Sequence, residues 1–256
     1  MKWYKKAGFA FGSFVFSLVP TVCVVERRIE ESIPPYVENN LPKIVKNQEE
    51  KLGIKHFGIP KIVYEIPPEV KGPLVPPGSY DPKKDVIYLP FGNSITPEEN
   101  VTNTLATCLS LGALANIEEV INHELGHFYS DKLYESMGFG LGNWPSYSPD
   151  GQLTDDEIGT KLISEGIAGY FEKTINNKED KFRDSDWPKK REDFRDIHII
   201  YEGGFHLVKP IIGKHGKRGI EYLILNPPRV EDLENLPAYQ SRILSFIEKK
   251  LHLRDN

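Results

Sequence analysis

The sequence predicts an α+β fold on three observations. Two short runs rich in β-branched and aromatic residues, KIVYEI (Lys61 to Ile66) and DVIYLP (Asp85 to Pro90), read as strands near the start of the chain. From Thr96 onward the apolar spacing is mostly helical. The 256 residues suffice for one good-sized core, and no internal repeat or low-complexity tract divides them.

The first residues stand apart. Lys2, Lys5 and Lys6 precede Ala7 to Val25, a run without a charge, and VERRIEE follows abruptly. That layout is expected of a signal peptide or N-terminal membrane anchor over residues 1–25, leaving 26–256 as a single domain. The leading lysines favour a cytoplasmic N-terminus, so the expectation is a chain either membrane-anchored with its domain on the extracytoplasmic side or secreted.

Composition excludes some classes. The two cysteines, Cys23 in the apolar run and Cys108 in an expected helix, make no disulfide framework. A net charge of −5, with basic residues interspersed among acidic ones, offers no stripe for nucleic acid. Nothing in the sequence sets the oligomeric state.

Each element has its reason. Between Val37 and Leu52, the apolar residues Leu41, Ile44, Val45 and Leu52 are separated by charges, which predicts an amphipathic helix. Pro67 and Pro68 close the first strand, and KGPLVPPGSYDPKKD reads as loop before the second. Thr96, Pro97, Glu98 and Glu99 form a helix start, with the helix running to about Ala115. Asn116 then caps a helix that ends near Met137, where Gly138, Gly140 and Gly142 stop it. Gly138 to Gln152 is irregular, and its Trp144 and Tyr147 form either a cleft wall or a plain connection. Thr154 or Asp155 caps a helix to about Thr174. A charged segment follows, a surface excursion or short helices, then helices over about Arg195 to Ile212, Ile220 to Leu225 and Ala238 to Leu251.

The third of these helices carries HELGH. Positions i and i+4 share one helix face, so His123 and His127 can aim their imidazoles at one ion, while Glu124 can reach a water beside it. A single-helix, three-histidine site would need a glycine three residues after His127 and a His or Asp six after; Ser130 and Leu133 stand there. The third ligand must come from elsewhere. Glu165, in LISEGIAGYFE, lies near the border of an apolar stripe made by Ile158, Leu162, Ile163, Ile167, Ala168 and Phe171. A carboxylate there calls for a positive partner, and Gly166 and Ala168 would let the two helices approach closely.

HELGH followed downstream by SEGIAGY resembles the HExxH plus ExxA pattern of the gluzincins, zinc metallopeptidases of the thermolysin-like clan. YEGGFHLVKPIIGKHGKRGIEYL is similar to a later segment of small peptidase-MA-like domains. The resemblance implies a zincin-like fold, with a small N-terminal sheet ahead of an active-site helix and a zinc-glutamate helix. It also implies Zn2+ on His123, His127 and Glu165, with Glu124 as general base in hydrolysis of a peptide or protein substrate. For the donor to the developing oxyanion, Tyr201, His198 and His206 are candidates, and the resemblance places Tyr201 first. Asp131, one turn past His127, is either an outer partner of a ligand histidine or a solvent acid. Peptide could lie along a strand edge near Val86 to Leu89. Two alternatives remain at this point: a non-catalytic binding or assembly protein of peptidase-like fold, and a zinc hydrolase of a non-peptide amide or ester.

Overall fold

The computed structural model describes residues 34–68, 76, 78–89, 117–139 and 154–252. Helix α1 covers residues 34–52. Val37, Leu41, Ile44 and Val45 recur on one side of it and are buried, as a period of 3.6 demands. Strands β1 (Lys61–Val63), β2 (Ser79–Asp81) and β3 (Val86–Tyr88) form one sheet in the order β1-β3-β2. β1 runs parallel to β3 and β2 antiparallel, with Tyr80 opposite Ile87. The sheet and α1 pack against α2 (Ile117–Ser136) through Ile87, Leu89, Ile121, Leu125 and Phe128.

The helical body centres on α3 (Asp155–Ile175). Thr154 starts it with a capping box: its hydroxyl accepts from the Glu157 N–H, and the Glu157 carboxylate accepts from the Thr154 N–H at 2.6 Å. After two 3-10 turns, Asp184–Asp186 and Arg191–Arg195, a π turn over Ile199–Gly203 leads into α4 (Gly204–His215). Then come α5 (Lys217–Leu225), the single turn α6 (Val230–Leu233) and α7 (Leu236–His252). Ile163, Ile167 and Phe171 of α3 share a core with Val208 and Ile211 of α4, Leu223 of α5 and Ile243 of α7.

Several expectations are corrected. Ser79–Asp81, read as loop among prolines and glycines, is a strand. It forms because the turn after it closes through Asp85 at φ 55, a conformation that aspartate tolerates better than most residues. The strand edge expected at Val86 to Leu89 is no edge, since β3 lies between the other two strands and Val86–Tyr88 is buried throughout. The helix expected over about Arg195 to Ile212 starts at residue 197, after the 3-10 turn Arg191–Arg195, and runs through the π turn Ile199–Gly203 into Gly204–His215. The membrane-anchored or secreted placement is also corrected: among the described residues no helix is long and apolar enough to cross a membrane. Residues 7–25, the helix expected over Thr96 to Ala115, its cysteine Cys108, and Trp144 and Tyr147 lie outside the described residues.

One buried polar chain ties α1 to α2. The Gln48 amide donates to the Asn122 side chain at 2.7 Å, and its oxygen pairs with His56 Nε2 at 2.8 Å. Because that oxygen can only accept, His56 carries its proton on Nε2; Nδ1 is buried and has no partner among the described residues. Burial lowers the His56 pKa to about 4, with Glu49 opposing weakly. A folded-state value below the unfolded 6.5 means the unfolded chain takes up the proton first. Stability therefore holds above about pH 6.5 and falls toward pH 4, by up to roughly 3 kcal/mol. Denaturant unfolding at pH 7 and 4.5 should show His56→Gln losing less stability on acidification than wild type; parallel losses would refute this account.

Candidate metal centre

The site begins with how closely two helices cross. A Cβ placed on Gly126 of α2 would lie 2.6 Å from the Cα of Ala168 on α3 and 3.3 Å from the Phe171 side chain. Ala168 thus serves the crossing expected of it. Gly166 serves a different one, because its Cβ would strike the Gly204 carbonyl oxygen of α4 at 2.4 Å. Gly126→Val should cost roughly 2–3 kcal/mol, since a clash with backbone is not relieved by a change of rotamer. The denaturation midpoint reads it, and a variant as stable as wild type would mean that the helices have room to spare.

That crossing brings His123, His127 and Glu165 together. Their ligand atoms lie within 4.8 Å of one another, and Glu165 Oε2 is 3.1 Å from His123 Nε2 and 3.4 Å from His127 Nε2. Zinc bonds of about 2.0–2.2 Å in a tetrahedron set neighbouring donor atoms roughly 3.3 Å apart, and the two distances from Glu165 are of that size. The other ring nitrogens are taken. His123 Nδ1 is 3.3 Å from Glu172 Oε2, and His127 Nδ1 is 3.2 Å from the Ser164 hydroxyl. A proton on each Nδ1 leaves each Nε2 lone pair directed at the cluster, the arrangement by which outer partners orient metal-bound histidines.

The electrostatics also call for a cation. Glu165 and Glu124 are 3% and 6% exposed, too buried for bulk water to balance their charge. Burial alone would push Glu165 up, yet the charge of His127, the hydrogen bonds of both histidines and Lys161 hold it well below the usual carboxylate range. Burial likewise opposes charge on His123, but Glu165 and Glu172 outweigh it and raise that imidazole to about 10. The three residues can bind a metal ion, and no other such group of His, Cys, Asp or Glu occurs among the described residues.

Glu124 stands beside this set and outside it. Its carboxylate lies under β2, where a Cβ on Gly78 would come within 3.1 Å of Oε1 and the Tyr80 N–H donates to the carboxylate. Burial raises its pKa, against the pull of His127 and His123. β2 is pinned in turn: the Tyr80 ring packs edge-on to Phe128 at 5.8 Å, and its hydroxyl lies 3.0 Å from both Asp131 and Asp85. Asp131 therefore serves the sheet rather than a ligand histidine, and burial lifts its carboxyl to about 6.

Comparison with protein-family models, curated proteins and solved structures gives no match. The donor set and its surroundings alone bear on function.

Of the three oxyanion candidates only Tyr201 reaches the cluster, its ring stacked on His123 at 5.6 Å and 14°. The π turn that carries it is wedged by Trp187, which a Cβ on Gly203 would meet at 2.7 Å. π turns frequently mark functional positions. His206 is held between Asp180 and Asp184, and the exposed His198 has its ring near Phe182. Sequence reading missed Glu172 and Ser164. The spacing of Glu172, two turns beyond Glu165 on the same helix face, was the available signal.

Proposed function

We propose that this chain is a zinc-dependent peptidase of the gluzincin type, in which His123, His127 and Glu165 hold the metal. The observation that carries this reading is the carboxylate of Glu124, buried beside the donor set and held by the Tyr80 N–H, yet no member of the set. A purely structural site has no need of it. Two histidines and one carboxylate suit zinc, which when bound this way polarises a carbonyl and makes water more acidic. Glu124 would take the proton from the attacking water and pass it to the leaving amine, and its burial raises its pKa, in the direction a base for this step needs. Tyr201, whose ring stacks on His123, would be the donor of a hydrogen bond to the carbonyl oxygen as charge builds there. β2, with one strand partner among the described residues, offers its outer edge to an extended peptide next to Glu124.

The test is metal content and affinity of the purified protein, followed by incubation with a mixed peptide library read by mass spectrometry, with chelation and zinc return as controls. Cleavage that chelation stops and zinc restores is expected. Bound zinc with no cleavage of peptides would overturn the peptidase reading; hydrolysis of esters alone would favour the non-peptide alternative.

A further inference from the structure

Lys161 lies one turn before Glu165 on α3, and its ammonium is 2.5 Å from Glu165 Oε1. The two oxygens of Glu165 are therefore divided, Oε1 to Lys161 and Oε2 to both imidazoles. We propose that Lys161 is a positioning residue that restricts Glu165 to one oxygen in metal binding and so keeps a coordination position for a small molecule. The inference rests on the metal-binding part of the preceding reading and is independent of peptidase activity.

A carboxylate with both oxygens available can chelate an ion, filling two positions. The Lys161 side chain is a quarter exposed while that of Glu165 is 3% exposed, so the ammonium reaches Oε1 from the solvent side and the carboxylate cannot turn without breaking a buried, charge-assisted bond. The same charge repels a cation in the cluster, so lysine trades affinity for an open position. A neutral side chain of similar length reverses both effects.

The experiment uses the whole protein stripped of metal and titrated with Co2+, whose visible absorption weakens as coordination rises above four, and separately with Zn2+. Lys161→Met should bind Zn2+ about tenfold more tightly, because an adjacent unit positive charge has gone, and its Co2+ form should lose visible intensity several-fold. Lys161→Arg should restore both wild-type values, and Lys161→Gln provides a second neutral variant should the methionine protein fail to fold. A neutral variant with the wild-type Co2+ spectrum would overturn the proposal, whatever its affinity. Failure of the wild type to bind either ion would instead remove the metal reading itself, and this inference with it.

Discussion

Glu124→Gln is expected to keep its full complement of metal and its fold while losing roughly 10²- to 10⁴-fold in turnover, the usual effect of removing a positioned base. Metal retention follows from its place outside the donor set, which is formed by His123, His127 and Glu165 without it. The fold survives because glutamine is nearly isosteric and can still accept from the Tyr80 N–H through its amide oxygen. An amide cannot take up the proton of the attacking water, so the chemical step alone suffers. The measurements are metal per chain, the denaturation midpoint, and kcat on a peptide that the wild type cleaves. Wild-type turnover in a zinc-loaded Glu124→Gln protein would end the general-base assignment.

The separation of tasks behind that expectation explains what the sequence could and could not disclose. Residues whose roles follow from one helix were legible: His123 and His127 one turn apart, Thr154 as one of two candidate caps for α3, and Gly138 at φ 89 ending α2. Glu165 was legible because a carboxylate bordering an apolar stripe needs a compensating charge, and the structure supplies two imidazoles and Lys161. Roles that depend on contact between distant segments were not. β2 is three residues long, lies among prolines and glycines, and is specified by pairing with β3 and by Tyr80 reaching Phe128 and Asp131. No local pattern announces such a strand. The same holds for the π turn that widens the helix before α4. Apolar spacing there suits a regular helix, but Gly204 must approach the Leu162 carbonyl, which a Cβ would meet at 2.6 Å, and Trp187 crowds Gly203. Tertiary packing sets the path of the chain at these points, and it places Tyr201 on the His123 ring.

Glu165→Gln should weaken metal binding by at least about 100-fold, because a neutral amide is a far poorer ligand than a carboxylate and loss of an outer partner alone typically costs 10–100-fold. Thermodynamic linkage makes this visible without any assay of activity. At a free zinc concentration about 1,000 times the wild-type Kd, the folded wild type gains roughly 4 kcal/mol. A variant binding 100-fold more weakly gains only about 1.4 kcal/mol at the same concentration. The metal-free variant should also start from lower stability. Glu165 is held well below the usual carboxylate range by His127, His123 and Lys161, and glutamine leaves Lys161 and a charged His123 with one less counter-charge in a site that is largely buried. Glu165→Asp keeps the charge on a shorter arm and should fall between the two. Denaturant titrations with and without zinc, alongside direct titration of the metal-free proteins, supply every quantity. Equal zinc-dependent stabilisation in wild type and Glu165→Gln would show that the third donor is another group; His206 is engaged by Asp180 and Asp184, which leaves the neighbouring carboxylates Glu124 and Glu172 or a group outside the described residues.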